Sequence, residues 1–287
     1  MARSRSRSAL CVISSRVESG LQSRRTRRGG AWHPVRMPSH LITDLRAIAE
    51  GLPEDPAKWP DIPCPTCLRR SVRPIVESLV TEENATSVAL REHPNHEVDW
   101  ISGAFHCLAQ CTNSGCDVVR ILGTTSVTMG YDDSEYHAPF YFEALHPTLF
   151  QPALPLIDSR SNCPDSVGRR VDAAARVLWL DPSSAANRLR SAVEAVMDEQ
   201  GVAAGTLHSR IEQWAKSVPT HVDTAQLLLS WKYIGNVGSH DDVLRISDVL
   251  HDLDVLDLAL DLIYDTRREE IRKKAAGIIA RRGIPAV

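Results

Sequence analysis

The sequence predicts an α+β chain in two parts, a small β domain followed by an all-α helical bundle. Three observations predict it. Cysteines fall in two pairs at metal-ligand spacing, Cys64/Cys67 and Cys111/Cys116, about forty residues apart. Short runs of β-branched and aromatic residues that end in glycine, 100–105 and 118–123, flank the second pair. From Ser166 to Tyr264, apolar residues recur at i, i+3, i+4 and i+7, and several such faces in a row call for helices packed on one another. The expected boundaries are a basic extension over 1–36, a β part over 37–150 and the bundle over 151–287.

Composition narrows the class. At 287 residues the chain can build one large core or two ordinary ones. Hydrophobic residues at 43% and charged residues at 24% are close to a globular average, which argues against wholesale disorder or a fibrous repeat. No window approaches eighteen uncharged apolar residues, so no membrane span is expected. The net charge of −3 hides an asymmetry: residues 1–36 carry nine arginines, no lysine and one acid, about +8, which leaves about −11 on the remainder. An acidic body is a poor general phosphate binder, which weighs against tight nucleic-acid binding by charge alone. Seven cysteines are too few for a disulfide scaffold, and their pairing favours a reducing, cytoplasmic compartment.

The elements follow in order. The opening, with Arg3, Arg5, Arg7, Arg24, Arg25, Arg27 and Arg28, lacks an apolar run long enough for a secretory signal. It reads as a nucleic-acid-touching arm, as a transit peptide, or, the preferred reading, as a mis-extended start ahead of the true one at Met37; each reading expects poor order. A short amphipathic helix is expected over 41–51. Pro53, Pro56, Pro60 and Pro63 then break regular structure and deliver the chain to Cys64. A Cys-x2-Cys turn brings two thiolates to one ion, and a second pair across a hairpin completes a tetrahedron, as in zinc ribbons. Cys64, Cys67, Cys111 and Cys116 are the expected ligands of a structural Zn2+, with Cys107 the competitor for the place of Cys111. Arg69, Arg70, Arg73 and Arg91 near the ribbon read as a solvated face.

Another strand or two is expected over 127–141. Tyr136, Phe140, Tyr141 and Phe142 form the densest aromatic cluster, expected to pack the β part against the bundle. Pro147, Pro152 and Pro155 suggest an extended connector. Helices are then expected over 166–179, capped by Asp165 or Ser166; from Pro182 to about Gln200, stopped by Gly201; and over 206–217, 221–234 and 247–264. A charged helix over 267–282 is expected to pack on the outside or in a partner.

The segment from Gly235 to His240 is expected to turn sharply between two helices, with φ > 0 available at Gly235 and Gly238. Arg190 and Glu194, four apart on one helical face, can pair. Two readings fit these residues. In one, Asn236 and His240 satisfy helix ends within a buried polar network. In the other, His240 acts as acid or base on a phosphodiester, with a nearby cation stabilising the developing charge.

The second half resembles the HEPN superfamily of helical bundles and, within it, the family called domain of unknown function 4145. The resemblance rests on the stretch from Ala185 to Glu194, on Thr206-Leu207 opening the next helix, and on the stretch from Gly235 to His240. Members also tend to carry a Cys-pair ribbon ahead of the bundle, and Cys64/Cys67 with Cys111/Cys116 look like it. The resemblance implies a homodimer through the bundle. It also implies a place in prokaryotic restriction or phage defence beside a defence-system protein, and an RNA or nucleotide ligand. Many HEPN proteins are metal-independent ribonucleases whose motif is an Arg, a polar residue and a His a few positions on. His240 and Asn236 match the last two, but Gly235 occupies the Arg position. Lys232 lies outside the usual spacing and lacks the planar fork of arginine. The expected function is therefore a non-enzymatic binding, sensing or scaffold module. The alternative is an endoribonuclease using His240, with Arg188 or Arg190 in place of the missing Arg.

Overall fold

The cysteine-bearing half is not the small ribbon that the sequence predicts. A computed structural model describes residues 40–68, 71–131, 139–202, 205–217, 221–237 and 244–281. Between residues 52 and 151, seven antiparallel strands form a curled half-barrel, and helices follow. The strands are β1 Leu52–Pro53, β2 Ile62–Pro63, β3 Ser71–Pro74, β4 Val80–Glu83, β5 Ser102–Cys111, β6 Val119–Tyr131 and β7 Pro139–Gln151. They lie in the order β1-β7-β6-β5-β3-β2, with β4 also pairing β5. The α+β class stands, but the β part is a large sheet and the cysteines occupy one end of it.

Strand β5 explains the difference. Gly103, Phe105, Cys107, Ala109 and Cys111 are buried while the residues between them face outward or are half-buried. That period of two is a strand with one face on a core. The sequence predicts a strand that ends at Phe105, whereas β5 runs on through Cys107 to Cys111. The expected connector at Pro147 is instead interior to β7. Pro147 lies opposite Gly123 at a register shift after Leu122, and a bulge is where a residue without N–H is tolerated in a sheet. A Cβ on Gly123 would collide with the His146 carbonyl oxygen, so only glycine allows this close approach.

The aromatic cluster does not seal the two halves together. Phe140, Tyr141 and Phe142 are 47%, 57% and 45% exposed, and Tyr136 lies outside the described residues. The sheet meets the helices elsewhere: the Phe150 ring packs edge-on against Trp179 at 4.9 Å.

The helices are α1 His40–Ala49, α2 Ala85–Leu90, α3 Asp165–Ala175, α4 Pro182–Glu199, α5 Leu207–Ser217, α6 Val222–Val237, α7 Ile246–Tyr264 and α8 Arg267–Ala280. Their buried faces follow the periodicity of the sequence. Val167, Val171, Ala174 and Leu178 meet a core with Leu189, Val193 and Val196, and Val249, Leu253, Leu256 and Leu260 close it from α7. Asp181 caps α4, its carboxylate accepting from the Ser184 N–H at 2.8 Å. The expected cap of α3 is not made: Pro164 holds that position without a side-chain bond, and the Ser166 hydroxyl donates to Glu199 instead.

Helix α1 packs on α7, with the Arg46 guanidinium 2.6 Å from the Asp254 carboxylate. On the same helix Asp257, 2% exposed, accepts from the Ser159 N–H at 2.9 Å and holds the connector that follows the sheet. No described helix is long and apolar enough to cross a membrane.

The sharp turn expected at Gly235 is a second correction. Helix α6 continues through Gly235 and Asn236 to Val237. Leu228 and Trp231, both fully buried, anchor the preceding turns, and that packing outweighs the roughly 1 kcal/mol that glycine costs inside a helix. Gly238, Ser239 and His240 lie outside the described residues, as do residues 1–36, Arg69 and Arg70.

Candidate metal centre

Four thiols converge where β2, β3 and β5 meet. Strand β2 ends at Pro63, and the chain turns at once through Cys64 to Leu68, the Leu68 N–H donating to the Cys64 carbonyl at 3.0 Å. Leu68 holds φ +57°, the left-handed conformation that lets so short a turn close. Strand β3 then pairs with β5, with Val72 opposite Cys111, and so carries the first turn to the end of β5. The second turn is built alike. The Asn113 N–H donates to Cys111 Sγ at 3.4 Å, and the Cys116 N–H to the Asn113 carbonyl at 3.1 Å. A bond from the Asp117 N–H to Thr66 Oγ1, 3.4 Å, ties the two turns together.

The Sγ atoms of Cys64, Cys67, Cys111 and Cys116 all lie within 4.8 Å of one another. Cys67 Sγ and Cys111 Sγ are 3.8 Å apart. A tetrahedron with metal–sulfur bonds of about 2.3 Å has edges of about 3.8 Å, so the cluster is close to the size such an ion requires. Cys64, Cys111 and Cys116 are buried and Cys67 is half-buried. Burial, together with the neighbouring thiols, pushes Cys116 up to about 12. Burial also raises Cys64, although the Cys67 and Thr66 backbone N–H groups lean the other way. Thiols packed this closely resist ionising beside one another, and a divalent cation at their centre removes that cost. The residues therefore fit a tetrahedral thiolate-bound ion. Four ligands fill the coordination sphere, which leaves no position for water or substrate.

Cys107 is not part of the cluster. It is buried on the same face of β5, its Sγ 3.7 Å from Ser78 Oγ and 3.3 Å from the Leu108 carbonyl. On the outer side of the centre, a cavity of about 800 Å³ is lined by Cys67, Leu68 and Thr112 together with Asp44, Asp61 and Asp158. Cys67, half-buried, is thus the thiol of the four that borders this cavity.

The remaining predicted site residues are dispersed. Arg190 and Glu194 pair along α4 at 3.7 Å, as their spacing predicts. Arg188, two positions before Arg190, faces a different way and lines a shallow cavity of about 400 Å³ with Arg169, Arg170, Ala173 and Ser191. The sequence reading missed Arg169 and Arg170. Their adjacency was visible, but nothing local placed them beside Arg188. Lys232 and Asn236 lie on α6, their side chains beyond the described set, and His240 is outside the described residues.

Two family models match the chain. One, described as Domain of unknown function (DUF8608), matches residues 55–150, which holds all four clustered cysteines and most of the sheet. The other, described as Domain of unknown function (DUF4145), matches residues 172–281, from within α3 to the end of α8. The helical half is thus similar to the family named from its motifs. No curated protein and no solved structure matches the chain.

Proposed function

We propose that the chain is a non-catalytic binding or scaffold module whose β half is clamped by a structural Zn2+ and whose helical half is a HEPN-like bundle. The observation that carries this reading is the convergence of four thiols, Cys64, Cys67, Cys111 and Cys116, on one point. Four thiolates complete the sphere of a zinc ion, so the ion shapes the fold and takes no part in chemistry. The clamp joins two turns far apart in sequence and fixes the end of β5, the strand on which β3, β4 and β6 all pair. A reducing, cytoplasmic setting suits four free thiols as ligands.

The likeness of residues 172–281 to the DUF4145 family supports placing the bundle with HEPN proteins. On that likeness the chain forms a homodimer through its helices and works beside a prokaryotic defence protein. Labelled tRNA and mRNA, incubated with wild type and with His240→Ala, test the non-catalytic part. Equal and negligible cleavage by the two is the expected result. A cut that depends on His240 would replace this reading with that of a ribonuclease.

A further inference from the structure

The acidic body of the protein carries a shallow concave surface whose lining holds three arginines and no acid. Arg169 and Arg170 of α3 and Arg188 of α4 line a cavity of about 400 Å³ whose other walls are Ala173 and Ser191. A second, of about 230 Å³, adjoins it through Arg188 and Ser191 and adds Ser184 and Asn187. Ser184, Arg188 and Ser191 stand at i, i+4 and i+7 along α4, and Asn187 lies beside them, so their side chains form one continuous edge. All three arginines are exposed. Among the described residues neither Arg169 nor Arg188 is held in an ion pair, whereas Arg190 is turned away and bound to Glu194. Arg170 spends one N–H on the Ser166 carbonyl of its own helix.

The groove has a direction. At the Ser184 end, the Asp181 carboxyl lies below its ordinary value, first through the Ser184 hydrogen bonds and in lesser part through the Arg188 charge. That carboxylate caps α4 and repels an anion there. The opposite end is framed by Arg169, Arg170 and Arg188. Guanidinium forks bind phosphate oxygens two at a time, and hydroxyl and amide groups beside them complete the shell. Ala173 and Ser191 are small enough to let an anion approach the helices.

We infer that the α3–α4 groove binds a ligand carrying linked phosphate groups, held by Arg169, Arg170 and Arg188 with Ser191 and Asn187 as neutral donors. The inference rests on the proposed binding module and names its ligand class; it shares Arg188 with the ribonuclease alternative but does not use His240. Linked phosphates reach such a groove either as the polyphosphate of a nucleotide or as the backbone of a nucleic-acid strand. The test is titration calorimetry on the full chain at about 50 and 200 mM salt. The probes are sodium pyrophosphate, a nucleoside triphosphate and a single-stranded oligonucleotide. Wild type is expected to bind pyrophosphate, more weakly at the higher salt. The double variant Arg169→Gln/Arg188→Gln loses at least about tenfold in affinity, and Arg272→Gln on α8 loses nothing.

Ser191→Glu keeps every arginine, sets a carboxylate on the groove floor and is expected to lose binding as well. Tighter binding of the triphosphate than of the oligonucleotide assigns the site to a nucleotide, and the reverse order to a strand. No binding of pyrophosphate by wild type at about 10 mM overturns the inference. So does binding that survives in the double variant or in Ser191→Glu, since the arginine-rich segment 1–36 is then the binder. His240→Ala keeps the groove and is expected to bind as wild type. Cleavage seen in the ribonuclease assay would thus overturn the non-catalytic reading and leave this one standing.

Discussion

At Cys107 and Cys111, identity and burial are the same and only position decides the role. Both face the core from β5, and the sequence could not choose between them by spacing alone. Four residues of strand separate them by about 13 Å, too far for both to reach one ion. Register puts Cys111 opposite Val72, beside the first turn, and leaves Cys107 to Ser78. Cys64 and Cys67 were legible because their geometry is local.

Cys163 is a buried thiol of another kind. Burial pushes it up to about 11 from an ordinary 9.0. Because the folded chain holds this proton more tightly than the unfolded chain, the resulting stability is complete below about pH 9 and is lost as the pH rises through about 11. Urea midpoints measured from pH 8 to 11 should therefore fall less steeply for Cys163→Ala than for wild type. Parallel falls would contradict this. Iodoacetamide at pH 8 should leave Cys163 unlabelled in the folded protein, since the reactive form is the thiolate.

Among elements, the helices were the most legible. The expected spans 206–217 and 247–264 agree with α5 and α7 to within a residue. Apolar periodicity at 3.6 survives in a long amphipathic segment whatever it packs against. The end of α6 departs from the expected stop at Gly235, and the burial of Leu228 and Trp231 shows why the helix passes through that glycine. Gly201 was read correctly as a stop. It holds φ +70°, and nothing lies within 4 Å of where its Cβ would be. Gly201→Ala should therefore act through backbone strain alone and cost about 1 kcal/mol, with Gly201→Asn costing less. Thermal unfolding measures both, and an alanine variant as stable as wild type would show that the turn relaxes. Strands were less legible than helices. β1 and β2 have two residues each, too short for any alternation, and β7 contains a proline that suggests a connector.

In the whole molecule, the sequence conveyed a β part before a helical part but not the size of the sheet. Sheet size depends on pairings between distant segments, such as Leu52 with Leu145, which leave no local mark. The thiol cluster is the exception, since ligand chemistry forces distant residues together in a way that spacing reveals. The same logic makes an ion at that cluster, as proposed, a support of the fold. With the two turns unclamped, burying four close thiols has no compensating charge, and the first turn is held to the end of β5 by the β3 ladder alone. The groove on α3 and α4 stands apart from that clamp, as an arginine-lined concavity on an otherwise acidic body.

The central claim is that four thiolates of the full chain hold one zinc ion. Elemental analysis of protein purified under reducing conditions, paired with thermal unfolding, tests it most directly. The expected result is about one zinc per chain in wild type. In Cys64→Ser/Cys111→Ser, the metal should fall to a small fraction and the Tm should drop with it. Less than about half an ion per chain in wild type, or iron in place of zinc, would contradict the account.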